Sequence, residues 1–438
     1  MKALSLELNT PRPEVIPGPD RLKTAEFPAT ARWVLKLLER FDHGTLLVTF
    51  PDGQRARVGH GRPQADVTLI NWNVFGAALK SGDIGFAESY AAGDWTTSDP
   101  ARVLQYFVRN RAAAEAVIYG NFWGSLAYRI KHLFNRNTKS QAKKNITAHY
   151  DLGNAFYSLW LDGSMTYSSA LFPPSHDSGA QDVPAPVDTI ELEGAQRAKY
   201  ARVLEELQLT TRSCVLEIGC GWGGFAETAA RAGHRVRGLT LSPSQLQYAQ
   251  LRLRRQKLTG DLVLQDYREE RGQFDGIASI EMFEAVGEAY WPSYFDALAR
   301  CLKPGGRACI QTITIADELF DRYRKSTDFI QQYIFPGGML PSPSVFRAQA
   351  ERAGLVVINQ HGFGMDYART LATWRARFMH QLAAVRSLGF DDKFIRIWEF
   401  YLAYCEAAFA EGNTNVIQFT LAKDPVNSAA DVCGAAAA

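Results

Sequence analysis

The stretch VLEIGCGWGGFAE, Val215 to Glu227, constrains this chain more than any other. Val215, Leu216 and Ile218 read as a short buried strand, Gly219, Gly221, Gly223 and Gly224 follow at once, and a helix-competent run opens at Phe225. A strand that feeds a glycine-rich turn and then a helix lets the backbone approach a bound cofactor closely. The acidic residue, Glu217, stands two positions before the first glycine and discriminates between cofactors. A dinucleotide site sets pyrophosphate on a helix N-terminus and carries its ribose carboxylate about 20 residues further on. A carboxylate at Glu217 would repel that pyrophosphate. S-adenosylmethionine carries a cationic ammonium and a sulfonium and no phosphate, so E-x-G-x-G-x-G, with Glu217, Gly219 and Gly221, reads as a methyltransferase cofactor loop. Taken alone, such a turn is equally compatible with a purely structural role.

The following segments repeat the theme of a strand that ends in a polar group. GLTLSPSQ places Thr240, Leu241, Ser242 and Gln245 where a ribose or an amino-acid tail would lie, although Ser242 followed by Pro243 is also a common helix start. QDYRE puts Asp266 within reach of an adenine amino group and Tyr267 where a ring could stack on the base. Strands alternate with helices from IELEGAQRAKYARVLEELQL through HRVRGLTLS, GDLVLQDYRE and FDGIASIEMFEAVG to GGRACIQTITI. That alternation predicts a doubly wound parallel α/β sheet, a Rossmann-like class I methyltransferase domain, with ligands at the carboxyl ends of the strands.

With 438 residues the chain has room for two or three domains. Residues 1–28 are punctuated by proline and read as loosely attached. Residues 29–115 read as a smaller N-terminal α+β domain, with two strands across the Pro-Asp-Gly turn in GTLLVTFPDGQRARVG, a third in VTLINW and a short helix in NVFGAALKSG. Residues 116–145 form a basic, aromatic linker helix with Arg129, Lys131, His132, Arg136, Lys139, Lys143 and Lys144 and no acidic residue after Glu115. Such a segment suits an anionic membrane surface, or a linker helix with a solvated basic end. Residues 146–424 form the methyltransferase domain, and 425–438, ending in GAAAA, an unstructured tail. The net charge of +2 singles out no partner, and no nucleic acid is expected. The six cysteines form no C-x-x-C pair, which argues against a zinc site or a disulfide framework, so no metal is expected. No apolar run approaches the length of a transmembrane helix, and MKALSLELNTPRPEVIPGP lacks the apolar centre of a signal peptide; a cytoplasmic setting is the expectation.

From about residue 30 to residue 422 the chain resembles the cyclopropane fatty acid synthases, including the mycolic acid cyclopropane synthases. HYDLGNAFY (149–157), MTYSSALF (165–172), VLEIGCGWGG, GLTLSPSQ, SIEMFEAVG (279–287), YIFPGGMLPS (333–342) and FYLAYCEAAF (400–409) carry the resemblance. It implies that a cis alkene of a phospholipid acyl chain attacks the methyl group of S-adenosylmethionine. The resulting carbocation then loses a proton from the new methyl group and closes a cyclopropane ring. In the family a bound bicarbonate is thought to take that proton. Carried over residue by residue, its surroundings fall on Glu284, the amide of Ile313 and Tyr401. Ser169 stands where the family has cysteine, and Gln311 where it has histidine. Neither can carry positive charge, so bicarbonate should be held less tightly. Tyr167 and Ser168 fall on positions that meet the cofactor's amino-acid end. FPGGMLPS, behind a helix that presents Phe329, Tyr333 and Ile334, is expected to wall an acyl channel.

The resemblance further implies a protein peripheral to the inner face of the membrane and admits a homodimer. If the proton leaves from another position, the product is a methyl-branched or methylene-bearing chain rather than a ring. A small-molecule methyltransferase and a lipid-binding protein that has lost catalysis are the competing readings.

Overall fold

Short β-branched and leucine-rich runs bounded by glycine build the central sheet of the computed structural model, which describes residues 16, 18, 22–113, 152–174 and 185–423. The linker 116–145, the first three residues of the HYDLGNAFY motif and the tail from 425 lie outside the described residues.

In the small N-terminal part, β1 (Gly44–Thr49), β2 (Arg55–His60), β3 (Gln64–Leu69) and β4 (Trp95–Thr96) form a four-stranded sheet in the order β2-β1-β3-β4. β1 pairs antiparallel with β2 across the expected Pro-Asp-Gly turn and parallel with β3. The helix expected to be short instead runs from Asn73 to Ala92, broken at Gly82, whose φ of +61° only glycine adopts without strain. Asp83 follows the break directly, and its carboxylate accepts from the Phe329 amide and the Tyr404 hydroxyl.

The large sheet has seven strands: β5 (Cys214–Ile218), β6 (Arg235–Thr240), β7 (Asp261–Leu264), β8 (Phe274–Ile280), β9 (Leu302–Ile315), β10 (Leu355–Gly362) and β11 (Thr414–Lys423). Their order is β10-β11-β9-β8-β5-β6-β7. β5 to β9 are parallel as expected, whereas β11 enters antiparallel between β9 and β10. β6 and β8 flank β5, so the winding reverses there. The carboxyl ends of β5 and β8 therefore bound the crevice in which doubly wound sheets bind ligands.

Helix Thr189–Glu206 starts on Asp188, whose side chain accepts from the Glu191 amide at 2.8 Å, and buries the stripe Leu192, Ala195, Gln196, Lys199, Tyr200 and Val203. The single helix expected before FPGGMLPS is two short helices, Asp317–Tyr323 and Phe329–Tyr333; Phe329 and Ile334 are buried, but Tyr333 turns outward to Glu88.

Helix Asp392–Ala410 joins the two parts of the molecule. Its Glu399 accepts from Tyr90 at 2.8 Å, its Tyr404 donates to Asp83 at 2.9 Å, and its Phe400 packs against Tyr90 and Phe86. One hydrophobic core, from Phe27 and Leu46 to Trp160, Trp374 and Trp398, runs through both parts. Among the described residues, no helix is long and apolar enough to cross a membrane.

Candidate active site

A single cavity of about 880 Å³ begins at the glycine loop and extends into the small N-terminal part. Glu217, Gly219, Gly221, Thr240, Leu241, Gln245, Asp266, Tyr267, Tyr167 and Ser168 line one end. Glu281, Glu284, Ile313 and Tyr401 line the middle, and Val34, Leu46, Val48, Phe50, Val67 and Phe75 the other end.

The loop geometry follows from its glycines. Gly219 has φ +84°, and a Cβ there would stand 2.8 Å from Met282 Cγ. Gly221 has φ +49° and would project a Cβ into open space, as a cradle for a ligand requires. Glu217 is buried, and its Oε2 has no partner among the described residues. Burial pushes its carboxyl up to about 8, against the opposing pull of the Ala226 amide, Arg252 and Lys199. An orphaned, buried carboxylate oxygen beside an open glycine cradle fits the ammonium end of S-adenosylmethionine.

The other cofactor-site expectations separate. Thr240, Leu241 and Gln245 line the cavity, but Ser242 does not; its hydroxyl accepts from the Gln245 amide and caps helix Pro243–Arg255. Asp266 lines the cavity with both carboxylate oxygens engaged by Arg268, at 2.8 and 2.5 Å. Arg268 also lies over the Tyr267 ring, 5.6 Å from its centroid. Ser168 is held from behind: Gln196 donates to its carbonyl at 2.9 Å, and Lys199 to its hydroxyl at 2.6 Å. Lys199 is fully buried and is pushed down to about 7 by burial, against the pull of Glu281, Asp162 and Glu217.

In the middle of the cavity two carboxyls stand after β8. Glu284 Oε1 accepts from the Thr312 hydroxyl at 3.0 Å and from the Ile313 amide, while Oε2 is unpartnered among the described residues. Burial, reinforced by the neighbouring Glu281, pushes Glu284 up to about 8. Glu281 Oε1 accepts from the Ser169 amide and from Gln311 Nε2, both at 2.8 Å, and its Oε2 from the Tyr367 hydroxyl at 2.6 Å. Tyr401 and Tyr167 share a hydrogen bond of 2.6 Å between hydroxyls. The Tyr167 ring lies 5.4 Å from both Tyr157 and Trp374, and Tyr401 lies 5.2 Å from Trp398, which makes an aromatic wall.

This arrangement bears directly on bicarbonate. The Ile313 amide and the Gln311 side chain, two of the donors that were to hold it, point at the protein's own carboxylates, as does the Ser169 amide, and the Tyr401 hydroxyl is engaged by Tyr167. The Ser169 hydroxyl is also turned away, to the Ala170 carbonyl at 2.9 Å. The described donor set does not fit a second anion.

The family model for mycolic acid cyclopropane synthetase matches residues 137–419. The chain belongs to this family. As a member it is an S-adenosylmethionine-dependent methyltransferase. It is 39% identical over 354 residues to the tuberculostearic acid methyltransferase UfaA1 of Mycobacterium tuberculosis, covering 79% of this chain and 80% of that protein. It is 34% identical over 375 residues to the cyclopropane-fatty-acyl-phospholipid synthase of Escherichia coli K12, covering 84% and 90%. Among solved structures, the mycolic acid cyclopropane synthase CmaA1 complexed with SAH and CTAB aligns with a TM-score of 0.57 at 30% identity, over 64% of this chain and 97% of that one. The cyclopropane synthetase resemblance drew attention to Glu284 but not to Lys199, Gln196, Glu281 or Tyr367. Gln196 and Lys199 were detectable as polar residues on an otherwise apolar helix stripe. Tyr367 carries no local signal, because only the fold brings it to Glu281.

Proposed function

We propose that this methyltransferase transfers the methyl group of S-adenosylmethionine to the cis double bond of unsaturated phospholipid acyl chains and forms a cyclopropane ring. One observation carries the reading: the cavity is continuous from the glycine loop, past Glu281 and Glu284, to the apolar interior of the small domain. S-adenosylmethionine supplies an electrophilic methyl group. Glu217 and the loop orient it, and Leu46, Val48, Phe50 and Phe75 take up hydrocarbon without a polar group to satisfy. The aromatic wall of Tyr167, Tyr401 and their neighbours offers ring faces to a developing cation. FPGGMLPS contributes Phe335, Pro336, Gly338, Met339 and Leu340 to the lining, consistent with a channel wall.

The likeness to a tuberculostearic acid methyltransferase favours a second reading, C-methylation without ring closure. On either reading the protein works at the cytoplasmic face of the membrane, and the basic, aromatic composition of residues 116–145 suits attraction to anionic headgroups. Expression in a host without cyclopropane lipids, followed by mass spectrometry and proton NMR of its fatty acids, tests the proposal. A gain of one CH2 with loss of the olefinic signals supports the ring. The same gain with the signal of a methylene branch (C=CH2) on the open chain supports the second reading, and unchanged lipids overturn both.

A further inference from the structure

We propose that Glu281 is the base of the reaction: a carboxylate of the chain itself occupies the cage formed by Ser169, Gln311 and Tyr367 and takes the proton released after methyl transfer, in place of an exogenous anion. The inference rests on the alkene-methylation reading above and deepens it.

Three observations carry it. First, the cage is built for an anion and is already filled. Ser169 and Gln311, on segments far apart in sequence, donate to one oxygen at 2.8 Å each, and Tyr367 donates to the other at 2.6 Å. A carboxylate offers about four acceptor positions, so one remains on Oε2. Second, Glu281 lines the same cavity as the cofactor loop and the apolar residues of the small N-terminal part, the cavity that cofactor and acyl chain share on this reading. Third, Glu281 has φ +51°, a left-handed backbone that a non-glycine residue adopts only at some cost. Its amide is fixed there by the Gln311 carbonyl at 2.8 Å. A strained residue held at a cavity wall by its own donors is the arrangement expected where strain serves chemistry.

The charges facing Glu281 suit the role. Lys199 pulls Glu281 toward the ionised form, and the charge on Glu281 in turn pushes Glu284 up toward its protonated form. Burial raises both carboxyls, and the pair favours holding a single proton between them, as closely placed carboxylates do. The three donors settle the negative charge on Glu281 and leave the proton to Glu284.

The step balances. The alkene π pair forms the new C–C bond to the methyl carbon, and the S–CH3 pair leaves on sulfur. One C–H pair of the new methyl group closes the ring onto the cationic carbon, and its proton passes to Glu281 Oε2. If a hydride shift precedes proton loss, the same C–H pair forms the C=CH2 double bond of a methylene branch on the open chain, so both products need this base.

The test measures transfer of labelled methyl from S-adenosylmethionine into dioleoyl phospholipid vesicles by the full-length protein. Wild-type turnover should be unchanged in carbonate-free buffer. Glu281→Gly suits the left-handed backbone and should fold; it should lose roughly 100-fold in turnover, keep its affinity for S-adenosylmethionine, and regain about tenfold with added bicarbonate, formate or acetate. Glu281→Gln keeps the volume without the base and covers the case in which no anion fits the gap. Low turnover with intact cofactor affinity, and loss of the acidic limb of the pH profile, support the assignment. Wild-type turnover in Glu281→Gln or Glu281→Gly overturns it, as does a wild-type requirement for bicarbonate. A wild-type protein that labels no acyl chain overturns the functional reading and this assignment with it.

Discussion

Glu217, the last residue but one of β5, carries a carboxyl that burial lifts from 4.5 to about 8. Between those values the folded chain holds a proton that the unfolded chain has released, so the ligand-free protein should lose stability as pH rises through this window. Cofactor binding has the opposite dependence, because the ammonium of S-adenosylmethionine requires the carboxylate. Affinity should rise by up to roughly tenfold per unit between about pH 5.5 and 7, with proton release visible by calorimetry in buffers of different ionisation heat. The slope should vanish in Glu217→Gln; an equal slope there would remove Glu217 from the ammonium site. Glu284→Gln is a different case. Its amide can keep the Ile313 and Thr312 contacts and is neutral like the protonated carboxyl it replaces, so, with Glu281 as the base, turnover should fall by less than about tenfold and cofactor affinity should change little; a loss of roughly 100-fold in turnover alone would make Glu284 the base instead. Equal losses would place Glu284 in the cofactor site. Glu217 and its glycines were legible in the sequence because their chemistry is local, set by spacing along one turn. Glu281 was not, although it lies in a motif that drew attention. Its partners are 112, 30 and 86 residues away, and only the fold assembles them.

At the scale of elements, β5 to β9 follow from hydrophobic runs that each precede a helix, and the structure keeps that alternation. β10 and β11 break it. β10 is an edge strand exposed over much of its length, with no clean alternation to read, and β11 is a buried run that pairs antiparallel on both sides. Nothing local in VIQFTLAK sets that direction, which arises from helix Asp392–Ala410 returning the chain to the sheet. The same helix carries Glu406, fully buried, whose carboxylate pairs with Arg375 at 2.8 and 3.2 Å while Arg375 also meets Asp99 at 3.0 Å. Glu406→Ala strands a mostly buried guanidinium with one remaining partner. Removing one member of a buried pair costs about 3–5 kcal/mol, and the retained Asp99 contact places this case near the lower end. A shift in the denaturant midpoint would measure it, and an unchanged midpoint would mean that Asp99 alone satisfies Arg375.

Over the whole molecule, the small domain and the methyltransferase sheet share both a core and a cavity, so the acyl chain's reach should be set in one part and its chemistry in the other. Val48 lies on β1, buried, with its side chain on the cavity wall, far in sequence from every residue of the cofactor loop. Val48→Phe adds a ring to the apolar end. Overpacking of this kind costs typically about 1–3 kcal/mol where the space is already filled, and less where it opens on a cavity. The variant should therefore fold, bind S-adenosylmethionine as the wild type does, and lose turnover on long acyl chains while keeping it on shorter ones with the double bond at the same distance from the carbonyl. Methyl transfer to vesicles of phospholipids that differ only in the chain beyond the double bond would measure this. The apolar end holds the methyl terminus if the loss grows with that length. If instead turnover falls equally for all chains, the small domain receives the headgroup side, and the acyl chain runs through the cavity in the opposite direction.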